Sequence, residues 1–148
     1  MEYARVGDWM TRKLVTISPK QTLPAAHKLM KDYSIRRLPV VDAGQLIGIL
    51  TLGDIREASP SDATSLSIFE LNYLLAELTV DRIMTKDPIT VTPATRLSEA
   101  AKLMLQHKIG GLPVLEGHKL VGIITESDIF RAYVRLAEGQ NTLEAAQV

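Results

Sequence analysis

Apolar and polar residues follow two different rhythms along this chain, and the pair of rhythms occurs twice. "LVTISP" (Leu14–Pro19) and "PITVTP" (Pro88–Pro93) are short β-rich segments, each ended by a proline. Apolar residues then fall at helical spacing, at Leu23, Ala26, Leu29 and Met30 in one place and at Leu97, Ala100 and Met104 in the other. This spacing predicts helices over 23–33 and 97–107. Thr22 precedes the first as a candidate cap, and Thr95 or Arg96 precedes the second. Two β segments come next each time, "LPVVD" with "QLIGILT" and "LPVLE" with "KLVGIIT". Their connectors, Ala43-Gly44 and Gly117-His118, are of hairpin size and contain glycine. A second helix is expected to start near Asp54 and near Asp128; in the later copy Phe130–Leu136 continues it and Gly139 ends it.

The correspondence is one of sequence as well as pattern. An offset of 74 residues lays Val6–Ile55 on Val80–Ile129 without a gap. Roughly twenty of about fifty positions are identical, far beyond chance for unrelated segments. The fold class expected is α/β (α+β): two tandem β-α-β-β-α units related by pseudo-two-fold symmetry. One such unit is too small to bury a good core comfortably, whereas two packed together are not. The boundaries read as a first repeat over 1–58, a linker with a helix over 59–79, a second repeat over 80–137 and a tail over 138–148. In the linker Ser67 and Glu70 fit a capping box, and Ile68, Leu71, Leu75 and Leu78 form one apolar face. That helix is expected to pack on the pair or support a dimer.

Composition narrows the function more than the fold. Seventeen basic and seventeen acidic residues balance, so no global field favours nucleic acid or an acidic membrane surface, and anion binding must be local. The absence of cysteine removes disulfides, thiol catalysis and thiolate metal sites. The opening "MEYARVGDWMT" holds no long apolar run, so neither signal peptide nor membrane anchor is expected there, and a cytoplasmic location is the default. His27, His107 and His118 are scattered without metal-ligand spacing. No nucleophile-elbow, P-loop or zinc-protease pattern is present, so the expectation is not an enzyme, with no required cofactor or metal.

Two copies of "hxThxP", "IxxLPVh", "hhGIhT" and a closing "TxxDI" (h, apolar) resemble a CBS domain pair, also called a Bateman module. The resemblance covers almost the whole chain except the linker helix and the tail. The polar linker leading into "SIFELNYLLAELTVDRIMT" is similar to small stand-alone CBS proteins of the acetoin-utilisation type. The resemblance implies two clefts along the seam between the repeats. In many members these hold an adenosine-containing ligand such as AMP, ADP, ATP or S-adenosylmethionine. It also implies a homodimer forming a four-repeat disc.

Three sets of residues are candidates for binding. "TLGD" and "TESD" place Thr51 with Asp54 and Thr125 with Asp128 where a strand meets a helix. A carboxylate there can accept both hydrogen bonds of a ribose diol, and Asp and Thr at such junctions are also ordinary helix caps. Thr16 and Ile17 with Ile35, Leu38 and Pro39, and Thr90 and Val91 with Ile109, Leu112 and Pro113, could form an apolar slot for adenine. Such residues on half-buried strands are also ordinary core. The third set is where the copies diverge: "IRRLPVV" carries Arg36 and Arg37 where "IGGLPVL" carries Gly110 and Gly111. The resemblance places a basic residue just before this Leu-Pro against phosphate, a task suited to the planar guanidinium. Adjacent strand residues point to opposite faces, so one arginine of the pair, Arg37, is favoured. Gly110 and Gly111 offer close backbone approach and N–H donors, or a flexible turn, so unequal sites are expected.

The leading functional expectation is a regulatory module that senses an adenine nucleotide and changes the arrangement of repeats or dimer. The alternative is a ligand-independent dimeric scaffold for an unknown protein target. Nucleic acid and membrane are not expected partners.

Overall fold

The computed structural model describes residues 3–59, 70, 73 and 76–146, with side-chain surroundings through Gly139. The described elements are α1 (Val6–Trp9), α2 (Leu23–Tyr33), β1 (Arg37–Asp42), β2 (Gln45–Thr51), α3 (Leu52–Ala58), α4 (Val80–Ile83), β3 (Thr85–Lys86), α5 (Leu97–His107), β4 (Gly111–Glu116), β5 (Lys119–Thr125) and α6 (Glu126–Ala146). They form two compact units, one of Val15–Pro88 and one of Met1–Leu14 with Ile89–Val148.

In the Val15–Pro88 unit, α2 forms where the periodicity predicts it. The Thr22 hydroxyl oxygen accepts from the Ala25 N–H at 3.3 Å, and Leu23, Ala26 and Met30 make the buried face. The chain leaves the helix through Ser34 in the left-handed region, which allows the reversal into β1. β1 and β2 form an antiparallel hairpin whose two-residue loop, Ala43 (φ 50°) and Gly44 (φ 78°), has the handedness that matches strand twist. A bulge between Val40 and Val41 shifts the register. β3 adds to the far edge of β2. On the other edge the predicted β segment Leu14–Pro19 contributes only Ile17, which pairs in parallel with Val40. Its N–H donates to Pro39 O at 3.0 Å and its carbonyl accepts from Val41 N–H at 3.0 Å. Pro19 has no N–H to extend the ladder.

The other unit repeats this plan. Val91 pairs in parallel with Val114, β4 pairs with β5, and Thr11 takes the place of β3 by exchanging two backbone hydrogen bonds with Ile123 (2.9 and 3.0 Å). The capping differs, because the N-cap of α5 is Arg96, which makes no side-chain capping bond. Thr95 instead closes the preceding turn, its hydroxyl oxygen accepting from Thr92 N–H at 3.0 Å.

Each unit takes its opening helix from the sequence repeat whose other elements lie outside it. α4 belongs to the second repeat by sequence, yet Val80 N–H donates to Gln21 O (2.8 Å) and Asp81 N–H to Pro19 O (3.0 Å). α1 belongs to the first, yet Val6 N–H donates to Thr95 O (2.8 Å) and Gly7 N–H to Pro93 O (2.9 Å). Val80 and Val6 are both fully buried, each in the apolar cluster of the unit that receives it. On α4 the Thr79 hydroxyl and the Lys20 ammonium donate to the Asp81 carboxylate, holding its carboxyl below the usual range.

One expectation changes at the later elements. α6 passes through Gly139 to Ala146 instead of stopping there. An interior glycine costs a helix only about 1 kcal/mol relative to alanine, and good helix formers surround it. Ser67 and the apolar positions Ile68, Leu71 and Leu75 of the expected linker helix lie outside the described residues, while Leu78 packs against the Val15–Pro88 core. No helix among the described residues is long and apolar enough to cross a membrane.

Candidate ligand-binding site

The residues singled out by the repeat fall into two sets, one inside each compact unit. In the Val15–Pro88 unit the hairpin register puts Arg37 directly across from Thr51, which is also the N-cap of α3. The Thr51 hydroxyl oxygen accepts from Asp54 N–H at 3.0 Å, and Asp54 Oδ2 accepts from Thr51 N–H at 2.8 Å. This reciprocal pair is a capping box, so the capping role of Asp54 is realised. It occupies one carboxylate oxygen and leaves Oδ1 without a hydrogen bond among the described residues.

Arg36 is exposed, and its carbonyl accepts from Leu52 N–H at 2.9 Å, fastening the Arg-Arg pair to the start of α3. Arg37 is half-buried within β1. Arg36 lies in the bend before β1 and Arg37 is the strand's first residue, so the arginine directly across from Thr51 in the hairpin register is Arg37. Thr16 is exposed beside Ile17, and Ile35 is half-buried against the core. Leu38 is 0 % exposed and Pro39 is buried, so they back the site from within the core.

The second set has the same backbone frame. Gly111 pairs with Thr125, and the Gly110 carbonyl accepts from Glu126 N–H at 3.1 Å. Thr90 and Ile109 are half-buried, while Val91, Gly111, Leu112 and Pro113 are buried. The carboxylates differ. Asp128 is 2 % exposed, and its oxygens accept from Thr125 N–H (2.9 Å), Thr125 Oγ1 (3.1 Å), Thr11 Oγ1 (3.2 Å) and Arg131 Nη1 (2.8 Å). Thr11 and Arg131 were not among the candidates. The signal for Thr11 is its coincidence with Thr85 at the repeat offset; Arg131 falls on Glu57 and carries no such signal.

Hollows between helices gather few of these residues. One of about 490 Å³, between α2 and α3, includes His27 but no candidate, and one of about 380 Å³, between α5 and α6, takes in only Ile109. No group of three metal-ligating side chains occurs among the described residues.

Two β-hairpins, each preceded by a helix and followed by another whose first turn carries Thr-x-x-Asp, define a paired module. The CBS domain family model matches residues 6–61 and again residues 80–135. The chain belongs to the CBS domain family and carries two copies of the domain. A CBS domain-containing protein of Dictyostelium discoideum is 37% identical over 135 residues, covering 90% of this chain and 93% of the relative. An inosine-5′-monophosphate dehydrogenase of Korarchaeum cryptofilum is 35% identical over 85% of this chain, which spans only 24% of that enzyme's length. Among solved structures, a Vibrio cholerae chain named for acetoin utilization (AcuB) superposes with a TM-score of 0.77 at 37% identity, covering 93% of this chain and 96% of that one. CBSX2 of Arabidopsis thaliana, solved in complex with AMP, gives 0.75 at 29% identity, covering 90% and 98%. The CBS domain pair of protein MJ0100, solved with 5′-methylthioadenosine and S-adenosyl-L-methionine, gives 0.74 at 28% identity, covering 88% and 96%.

Proposed function

We propose that this chain is a regulatory module that binds an adenosine-containing nucleotide of the AMP, ADP or ATP class. The observation that carries the reading is the grouping of Arg37, Thr51 and Asp54 at one end of the β1–β2 hairpin, with an oxygen of Asp54 left to accept. Asp54 takes the ribose diol, Thr16 and Ile35 meet the base over Ile17, Leu38 and Pro39, and the guanidinium of Arg37, with Arg36 outside it, faces the phosphate. A charge-assisted bond from a diol hydroxyl to a carboxylate is stronger than a neutral one, which suits Asp54 to that role. Thr90, Val91, Ile109, Gly111, Leu112, Pro113 and Thr125 stand at the equivalent places in the other unit, without the arginines. Two family members solved with AMP or with S-adenosylmethionine support the ligand class. The ligand acts on the protein's arrangement through different affinities for two states.

Calorimetry tests the assignment. Asp54→Ala is expected to weaken AMP binding by about 1–3 kcal/mol. Arg37→Ala is expected to weaken AMP and ATP more than adenosine. Unchanged affinity in Asp54→Ala removes the ribose assignment, and equal losses for AMP and adenosine in Arg37→Ala remove the phosphate contact.

A second copy of the chain is the proposed protein partner. α5 and α6 expose Leu105 (80 %), Phe130 (67 %) and Tyr133 (62 %), large apolar groups that a homodimer would cover. Sedimentation of the wild type as a dimer and of Phe130→Asp as a monomer is the expected result; a wild-type monomer at all concentrations rejects it.

A further inference from the structure

The geometry points to Asp128 as a structural clamp that is closed to ligand, and we propose that Arg131 is the residue that makes the two Thr-x-x-Asp positions unequal. The nature of the ligand at Asp54 rests on the adenosine reading above, whereas the closure of Asp128 rests on its own contacts. An ionised carboxylate offers about four acceptor positions. At Asp128 four donors take them: Thr125 N–H and Thr125 Oγ1 on Oδ2, Thr11 Oγ1 and Arg131 Nη1 on Oδ1. The Asp128 side chain is 3 % exposed beneath an Arg131 side chain that is 53 % exposed. A ribose diol could reach this carboxylate only by displacing the guanidinium, which would leave a buried charge unpaired.

The other copy lacks both outer donors. At the same repeat offset Glu57 stands where Arg131 stands, and a second carboxylate cannot pair with Asp54. Thr85 stands where Thr11 stands, and it makes no hydrogen bond to Asp54 among the described residues. The inner contact, from the threonine N–H to the aspartate, is shared (2.8 and 2.9 Å). The copies therefore differ in what covers the outer oxygen, and in the Thr125 Oγ1 donation to the inner oxygen that Thr51 does not repeat. The clamp also has a mechanical role: through Thr11 it ties the first residues of the chain to α6, 117 positions away.

The test uses the full chain with adenosine and 2′,3′-dideoxyadenosine as calorimetric probes, on the wild type, Asp54→Ala, Arg131→Ala and the double variant. The wild type is expected to show one diol-dependent event per chain, weakened about ten- to hundredfold by Asp54→Ala. Arg131→Ala is expected to add a second diol-dependent event that survives in the double variant. A wild-type event that Asp128→Asn weakens, or a single event in Arg131→Ala, overturns the proposal. A ligand-free arm separates the clamp from the adenosine reading. Arg131→Ala should lower the thermal midpoint in the wild type and lower it much less in the Asp128→Asn background; additive shifts overturn the clamp. If neither probe binds any variant, the adenosine reading fails and this thermal cycle still decides the clamp. Arg131→Gln carries the same measurements if Arg131→Ala does not fold.

Discussion

Ala43 sits at φ 50°, a conformation in which an L-residue's Cβ crowds the backbone. At the equivalent place in the second hairpin the residue is Gly117, at φ 63°. Nothing lies within 4 Å of a Cβ at neighbouring Gly44 or at Gly117, so both loops project into open space and backbone conformation alone decides the cost. Ala43→Gly is expected to stabilise the protein by about 0.5–1 kcal/mol, the relief of left-handed strain less the added entropy of the unfolded chain. Urea unfolding checks this, and a lower midpoint with an unchanged slope contradicts it. At this scale the candidate site is only partly legible in sequence. Asp54 and Asp128 are the same residue in the same motif, and their capping role follows from position. Their difference in accessibility depends on Arg131 against Glu57, three residues further along, and on Thr11, which only folding brings near.

Element by element, legibility follows length. α2 and α5 each run eleven residues, three turns of helical periodicity, and their ends fall where the pattern places them. α1 and α4 have four residues each, about one turn, and no period can be read from one turn. Their anchors lie outside their own sequence, and glycines mark the place. A Cβ on Gly48 would lie 2.6 Å from Met84 Sδ and 2.8 Å from Thr85 O; on Gly122 it would lie 2.7 Å from Met10 Sδ and 2.9 Å from Thr11 O. The methionine can turn aside, but the carbonyl belongs to the backbone paired with that strand. Gly122→Ala and Gly48→Ala are each expected to cost about 1–3 kcal/mol, the usual range for overpacking a filled core. Thermal midpoints within one degree of wild type for both variants would show that β3 and the Thr11 bridge yield without loss.

For the molecule as a whole, the repeat in the sequence and the compact unit in space are different objects. Identity at a constant offset reveals the duplication, but it cannot show which copy's opening segment completes which core, because both copies have one. The structure places Val6 and Met10 among the apolar residues of the later unit, with Trp9 packed at its margin. Burying two such side chains is worth about 3–6 kcal/mol, a large share of an ordinary domain's stability. A chain beginning at Val15 is therefore expected to lose amide protection in β4 and β5 while keeping it in β1 and β2. Hydrogen exchange distinguishes this from a uniform loss across both hairpins, which would contradict the division into units.

That division also sets a timetable for biosynthesis. Val6, Trp9 and Met10 leave the ribosome well before Ile124 of the core that receives them, which is made more than a hundred residues later. At ~5–20 residues per second the delay is roughly 5–20 s, long compared with hydrophobic collapse. Val15–Pro88 can finish folding within that interval. The nascent protein therefore carries a short apolar segment awaiting its core, and residues made early are among the last to be placed.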